Sequence, residues 1–328
     1  MTHVAIDWAW DEKTGGNKIR VTDGKTLTKK MPEPRKGMII ATENMPTKEC
    51  KKFLDAGATV FRCSTHQTEK YRKKFTIEKS DDNDVKIIWT LYDLHPDEFY
   101  EFTYDPRLAE LSLLQRTFKE MQKVRVASSN RLWSSDSAIV KDVLEDVEAV
   151  ENDILSKIKK LLKQFPIYTE YLSKIQGIAA TTAASLISYY GDPRRFKSIA
   201  CMWAYFGLGV KNGAAQRKRK GERANWHQEG RALILGIIAS SFVKQVGREG
   251  TSKNGKTIVY KQGEYRDLYD KIKAEEIVKK DQDGNDVPLW QVEKRTKRKM
   301  MKIFMKKFFK AYKKLTDPDW VDTEHETV

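Results

Sequence analysis

Three segments decide the fold of the first third of the chain: His-Val-Ala-Ile-Asp-Trp-Ala at residues 3–9, Lys-Ile-Arg-Val-Thr at 18–22, and Gly-Met-Ile-Ile-Ala-Thr at 37–42. Each segment is short and rich in β-branched or apolar residues, and stretches with Gly or Pro separate them. This pattern is typical of strands joined by turns. We therefore expect the chain to begin with a sheet.

Helical segments alternate with the strands that follow. Residues 47–56 and 81–94 have the composition of helices, and residues 58–62 (Ala-Thr-Val-Phe-Arg) that of a further strand. Strands first and helices in alternation predict an α/β domain, which we assign to residues 1–104.

The next segment, residues 105–165, is predicted to form two long helices. Apolar residues recur there at alternating steps of three and four: Leu111, Leu114, Phe118 and Met121, then Val140, Val143, Val147, Val150 and Ile154, continuing toward Ile158 and Leu161. Such heptad-like spacing, broken near residues 128–137, predicts an antiparallel coiled-coil hairpin. Packing within the chain and pairing with a second copy both remain open.

Residues 166–328 are expected to form a mainly helical domain. A basic loop at 211–225 and a polar stretch at 248–263 interrupt it, and a last helix at about 292–315 has an apolar side and a lysine-rich side. Gln176-Gly177-Ile178-Ala179 resembles the turn of a helix-hairpin-helix motif, whose backbone amides hold a phosphate without contacting the bases. An ordinary interhelical turn is the alternative.

Composition narrows the class of protein. The 328 residues carry a formal net charge of +15, which favours polyanionic partners. Solubility alone is the alternative, but the basic runs lie mainly after residue 210 while carboxylates cluster in the first third. The three cysteines and five histidines are scattered, so any metal would be held by oxygen ligands. There is no leader-like start and no apolar run of about 20 residues. We expect a cytoplasmic protein that does not enter membranes.

Four carboxylates are candidate catalytic and metal-binding residues. Asp7 interrupts an apolar strand, Glu43 follows one directly, and Asp81 and Asp84 lie three residues apart at a helix start, on one face. Together they would form an oxygen-only site suited to Mg²⁺, the ion used in phosphodiester chemistry. Taken singly, each is also explained as a turn, strand-end or helix-start residue.

Basic side chains are the candidate nucleic-acid ligands, together with Gly177 of the turn. We predict the following: Arg217, Lys218, Arg219, Lys220 and Arg223 in the basic loop, and Lys294, Arg295, Lys297 and Arg298 on the last helix. Trp226 follows the loop, and a flexible basic loop beside an aromatic ring suits phosphate contact with base stacking. Solvated charge and, for the helix, a membrane surface are the alternatives.

The order of these motifs resembles one insertion-sequence transposase family, which includes the Piv invertases and the bridge-RNA-guided recombinases. Asp7, Glu43 and Lys79-Ser80-Asp81-Asp82-Asn83-Asp84 are similar to its DEDD tetrad, with Ser80 in place of a threonine. The further matches, in order, are Asn130-Arg131-Leu132, Ile175 to Ala179, Ala183-Ala184, Arg195 to Ser198, and Ala204 to Leu208. The resemblance extends from residue 4 to about residue 245.

This resemblance implies a RuvC-like (ribonuclease H-like) N-terminal domain, a coiled-coil spacer and a helical transposase domain. It implies a prokaryotic, nucleoid-associated enzyme that exchanges DNA strands as a homo-oligomer, a dimer or a tetramer. Some members of the family use a structured guide RNA, so RNA is a second candidate partner beside DNA.

The chain departs from the family pattern at the expected nucleophile. The resemblance implies a serine shortly after Gly207-Leu208, and the position falls on or beside Ala214. A knock-out, a subgroup using another hydroxyl, and a member that no longer recombines all remain open. Ser240 and Ser241 are possible substitutes, yet such a pair is more often helix packing, so the nucleophile is left unknown. The alternative functions are a nucleic-acid-binding relative without recombinase activity and a RuvC-like metal-dependent nuclease.

Overall fold

The computed structural model describes residues 3–11, 16–135, 137–211, 213–218, 221, 224–251, 257–280 and 284–322. Within it the chain separates into two compact units that meet in sequence at Pro106 and Arg107. The first unit contains a mixed sheet with helices, and the second is mainly helical. The long helices of the predicted hairpin belong to the second unit.

The first unit is built on a six-stranded sheet of order β3-β2-β1-β4-β5-β6. Its strands are β1 His3–Asp11, β2 Gly16–Thr22, β3 Leu27–Thr28, β4 Ile39–Thr42, β5 Thr59–Arg62 and β6 Tyr100–Glu101. β1 pairs antiparallel with β2 and parallel with β4, which in turn is parallel to β5. The predicted strands are therefore present, and the sheet is mixed.

Three helices complete this unit: α1 Thr47–Asp55, α2 Thr65–Lys74 and α3 Asp81–Leu94. The apolar residues of α3 include Val85 and Ile88, which are fully buried with Ala5 and Ala41 of the sheet. Since α3 packs on the central strands, its first turn lies beside β1. The sequence predicts α1 and α3 but not α2, which is a polar segment.

The second unit begins with two long helices, α4 Pro106–Ser135 and α5 Ala138–Leu162. Ile154 and Ile158 of α5 and Phe118 of α4 are buried in the core of this unit. Farther from that core, Val143 and Val150 remain 46% and 48% exposed. The apolar residues of the two long helices are thus buried at one end only. A coiled coil along the whole length of the helices stays a prediction.

The remaining elements surround one apolar core. They are α6 Ala180–Tyr190, α7 Ile199–Tyr205, the hairpin of β7 Val210–Lys211 and β8 Ala214–Ala215, α8 Gln228–Ala232, α9 Ala239–Val243, the hairpin of β9 Arg248–Thr251 and β10 Thr257–Tyr260, α10 Glu264–Ile277, and α11 Leu289–Thr316. A π-helical segment, Leu233–Ile238, joins α8 to α9. Met300, Phe304 and Phe308 of α11 are fully buried, which confirms the predicted apolar side of the last helix.

Among the described residues, no helix has both the length and the apolar character required to span a membrane.

Candidate acidic site and nucleic-acid interface

Strand register brings Asp7 and Glu43 to neighbouring positions. In the parallel pair of β1 and β4, Ile6 is the partner of Thr42, and the next residues along the two strands are Asp7 and Glu43. Adjacent strands in a sheet are about 4.8 Å apart, so Asp7 and Glu43 come side by side directly after this residue pair. Both side chains are half-buried.

The first turn of α3 supplies Asp81 and Asp84. Ser80 caps this helix, since its Oγ accepts a hydrogen bond from the Asn83 amide at 3.2 Å. Asp81 and Asp84 are half-buried, whereas Asp82 is exposed and its Oδ1 lies 2.5 Å from Nε of Arg20, the strand partner of Asp7. Of the three aspartates at the helix start, Asp81 and Asp84 are the two whose charges act on Asp7.

Electrostatic coupling shows that these carboxylates lie near one another. Burial, and then the charges of Asp84 and Asp81, raise the pKa of Asp7 to about 6. Burial raises the pKa of Glu43 to about 7, with added contributions from Asp7 and Asp84. Negative charge is thus concentrated at this edge of the sheet without full compensation, an arrangement that a cation would relieve.

The missed helix α2 supplies two partners of the acidic site. Oγ1 of Thr68 donates to Oε2 of Glu43 at 2.5 Å, and Nε of Arg72 lies 3.1 Å from Oδ1 of Asp84. Thr68 and Arg72 are four residues apart, so they project from one face of α2. The one local signal was Ser64-Thr-His-Gln67, which fits the capping-box pattern at a helix start.

The four carboxylates match a metal ion in chemistry but not in spacing. Their donors are all oxygen, and the buried Oδ1 of Asp84 has the ion pair with Arg72 but no hydrogen bond of regular geometry among the described residues. However, among the described residues no three His, Cys, Asp or Glu side chains are arranged to hold a metal ion. Arg72 occupies the position of a counter-ion to Asp84 in this conformation.

Hydrogen bonds join the Gly177 turn to α9 and to the residues that follow it. The carbonyl of Gly177 accepts from Oγ of Ser241 at 2.9 Å, and the carbonyl of Gln176 accepts from Nε2 of Gln245 at 3.0 Å. A 3₁₀ turn, not a regular α-helix, precedes it at Leu172–Lys174. The helix after the turn, α6, has Ala179 at its N-cap and no side-chain cap, so its first amides have no side-chain acceptor.

The substitute serines take part in packing. Ser241 donates to the Gly177 carbonyl, which is a structural role, and Ser240 is half-buried on the same helix. Ala214, where the family pattern expects the nucleophile, lies exposed in the short hairpin of β7 and β8. A serine hydroxyl at that position would be accessible, and the alanine has none.

The basic loop is described in part. Arg217 and Lys218 are exposed, whereas Arg219, Lys220 and Arg223 lie outside the described residues. Trp226 packs against Gly207, and the guanidinium of Arg231 lies 4.8 Å from the centre of its ring. The tryptophan is therefore held by the protein itself rather than projecting freely for a base.

The last helix α11 carries two groups of basic residues that differ in their partners. Lys299 binds Glu276 at 2.6 Å and Lys307 binds Glu264 at 2.6 Å, both on α10. The four predicted ligands make no ion pair with the described carboxylates: Lys294, Arg295, Lys297 and Arg298. Their charge remains available to an external anion.

The first unit thus holds several neighbouring carboxylates, and the second has basic residues on α11 that form no ion pair with a described carboxylate. Residues 169–249 match the model of the Transposase IS116/IS110/IS902 family. This match confirms the resemblance to an insertion-sequence transposase family and supports a transposase or recombinase role. It covers the Gly177 turn, Ala214, the basic loop and Ser241. No curated protein matches the chain.

Proposed function

We propose that this chain is the DNA transposase or site-specific recombinase of an insertion sequence and that it cleaves and exchanges DNA strands with the help of Mg²⁺. The family match over residues 169–249 carries this proposal. Further support comes from the net charge of +15 and from the basic residues of α11 that form no ion pair with the described carboxylates. Strand exchange requires a protein that binds the DNA phosphate backbone, and such residues supply positive charge for it.

The acidic site is the proposed catalytic centre. Its support is that Asp7, Glu43, Asp81 and Asp84 carry oxygen donors only, and that the raised pKa values of Asp7 and Glu43 mark negative charge in need of a cation. Bound Mg²⁺ would supply charge stabilisation at the transferred phosphate. Thr68 orients Glu43, and Arg72 balances Asp84 until the cation is present.

The proposed RuvC-like identity of the first unit rests on its mixed sheet, with one carboxylate on the central strand β1, one directly after the adjacent β4, and two at the start of the helix that packs against them. A guide RNA is included in the proposal as a partner beside DNA, on the resemblance alone. Cytoplasmic, nucleoid-associated localisation follows from the proposed DNA substrate.

Oligomer formation is proposed to use the outer half of the α4–α5 hairpin. Ile139, Val143 and Val150 are 76%, 46% and 48% exposed there, at the heptad-like spacing that a helical partner would cover. Light scattering coupled to size exclusion tests this, and replacing Val143 and Val150 by Lys should yield a monomer. A monomer already in the unsubstituted protein contradicts it.

A second function has its own support. Ala214 in place of the expected serine, and the spacing of the carboxylates, favour a relative that binds nucleic acid without joining strands. A RuvC-like nuclease that uses water instead of a protein nucleophile is the third candidate.

A strand-cleavage assay separates the three functions. The full chain is incubated with Mg²⁺, the terminal sequences of its own element and the flanking transcript, and the products are run on a denaturing protein gel. A labelled protein–DNA adduct supports the recombinase, and mapping it identifies the nucleophile. Cleavage without an adduct supports the nuclease, and tight binding without cleavage supports the binding relative.

A further inference from the structure

Several basic side chains of the second unit are brought together by contacts among α7, α8 and α11: Arg231 donates to the Gln216 carbonyl beside Arg217, and the Lys302 ammonium lies over Trp203 of α7. Arg217 follows the hairpin of β7 and β8, Arg231 belongs to α8, and Arg295 and Arg298 lie one turn apart on α11. The charges of Arg231, Arg295 and Arg217 all act on Arg298. Lys302, one turn further along α11, feels the charge of Arg298 in turn. We call these five residues the arginine pocket.

Arg298 is the central residue of this pocket. Its side chain is half-buried, and its Nε is shielded from solvent without a hydrogen-bond partner. Burial, and then the neighbouring arginines, lower the pKa of its guanidinium. A buried donor without a partner costs about 1–3 kcal/mol, and more when it is charged. Repulsion between like charges adds to this cost.

The pocket has no internal counter-ion among the described residues. The carboxylates near α11 are engaged elsewhere, with Glu276 bound to Lys299 and Lys279 and Glu264 bound to Lys307. None of the described carboxylates forms an ion pair with Arg217, Arg231, Arg295, Arg298 or Lys302. Positive charge is thus gathered and partly buried without compensation.

Two tryptophans hold the basic groups in place. The Arg231 guanidinium lies 4.8 Å from the ring centre of Trp226, and its Nη1 donates to the Gln216 carbonyl at 2.9 Å. The ammonium of Lys302 lies 4.2 Å from the ring centre of Trp203, whose indole N–H donates to the Lys302 carbonyl at 3.2 Å. Cation–π contacts and these hydrogen bonds fix the charges before any ligand arrives.

We propose that the arginine pocket is a preformed site for a phosphate group of the DNA backbone, with Arg298 as its central ligand. The inference deepens the proposed function and rests on it for the identity of the ligand as DNA. Guanidinium groups match the oxygens of phosphate in geometry, and several of them together suit a group that carries full negative charge.

Anion binding is tested first without DNA, with inorganic pyrophosphate as the probe. At about 100 times its Kd, pyrophosphate added to the full chain should raise the Tm of the second unit's unfolding transition by roughly 5–10 °C. Arg298→Gln should lose at least half of that rise while keeping a Tm in plain buffer equal to or above that of the unsubstituted chain, since it removes repulsion. Arg298→Lys keeps the charge and should show a partial rise, which also guards against a folding defect.

The matched control is Lys314→Gln, an exposed lysine at the far end of the same helix, which should respond like the unsubstituted chain. An equal rise in the unsubstituted chain and in Arg298→Gln overturns the pocket. No rise in either overturns it as well.

DNA binding then separates this inference from the proposed function. For a short duplex, the negative slope of log Kobs against log salt concentration should become shallower by about 1 in Arg298→Gln. It should not change in Lys314→Gln. If duplex binds with an unchanged slope in Arg298→Gln, the pocket is wrong and the proposed function stands. If no duplex binds but pyrophosphate still acts through Arg298, the anion site stands and the proposed DNA substrate is wrong.

Discussion

At the scale of single residues, the acidic site illustrates how tertiary packing changes the chemistry of a side chain. Asp7 and Glu43 come directly after the paired residues Ile6 and Thr42 of β1 and β4. Burial raises the pKa of both carboxyls, with added repulsion from Asp84 and Asp81 on Asp7 and from Asp7 and Asp84 on Glu43. Neither shift is visible in the sequence, because each requires a neighbour that is more than 30 residues away along the chain.

The first prediction concerns the pH dependence of stability. The pKa of Asp7 rises from its ordinary 3.8 to about 6 in the folded state, so the folded protein binds this proton more tightly than the unfolded chain does. The contribution of Asp7 to the free energy of unfolding therefore falls as pH rises from 3.8 to about 6. Above pH 6 the ionised carboxylate destabilises the folded state by its full amount. Asp7→Asn should raise the free energy of unfolding by roughly 1–2 kcal/mol at pH 8 in metal-free buffer, after allowance for solvent screening.

Thermal unfolding at pH 8 and at pH 4 measures this effect, and the gain should disappear at the lower pH. Asp93→Asn is the matched control, because Asp93 is exposed, and it should change little at either pH. Asp7→Asn should also abolish any stabilisation by added Mg²⁺. A loss of stability that is equal at both pH values would contradict the assigned charge repulsion.

At the scale of elements, α2 and the Gly177 turn decide which functional groups are held in place. The helix α2 buries little apolar surface, since Thr68 is its one buried residue. Its polar face nevertheless carries Thr68, whose hydroxyl donates to Glu43, and Arg72, whose guanidinium pairs with Asp84. Periodicity of apolar residues cannot detect such a helix, because the helix is fixed by polar contacts with another part of the fold.

The second prediction concerns the turn. Gly177 has a φ of +90°, and a Cβ there would lie 1.9 Å from Nε2 of Gln245 and 2.8 Å from Oγ of Ser241. Gly177→Ala should therefore break both hydrogen bonds that fasten the turn. We expect a loss of roughly 2–4 kcal/mol in the free energy of unfolding, from backbone strain plus two lost contacts.

Gly213→Ala is the control for this substitution. Gly213 also has a positive φ, +73°, but a Cβ there meets nothing within 4 Å. It should cost only about 1 kcal/mol, the strain of the backbone alone. Chemical denaturation measures both variants, and equal losses would show that packing on Gln245 and Ser241 is not what requires the glycine.

At the scale of the whole molecule, acidic and basic functions belong to different compact units. The four carboxylates lie in the first unit and the unpaired basic residues of α11 in the second. Under the proposed function, strand chemistry and backbone binding should thus be separable by substitution.

The third prediction follows from this division. Replacing Arg217 and Lys218 by Gln should weaken binding of duplex DNA and reduce the slope of log Kobs against log salt concentration by up to about 2. Asp84→Asn should leave that slope unchanged and abolish strand cleavage. Fluorescence anisotropy over a salt series and a cleavage gel provide the two measurements. A changed slope in Asp84→Asn would mean that the acidic site contributes to backbone binding.

Much of the fold was predictable because its elements are local. Strands β1, β2, β4 and β5 and helices α1, α3 and α11 follow from apolar patterns within a few residues, and so does the helical character of the second unit. The family resemblance, confirmed over residues 169–249, was likewise contained in the order of short motifs. The sequence by itself thus determined the class of each unit and the residue types available for chemistry.

Only the tertiary structure decided how those residues are used. It placed Arg72 beside Asp84, bound Ser241 to the Gly177 turn, and brought Arg231 close enough for its charge to act on Arg298. Each of these contacts joins elements that are distant in sequence. The physical reason is that burial, repulsion and hydrogen bonding depend on distances in space, and spacing along one chain constrains those distances only within a single helix or strand.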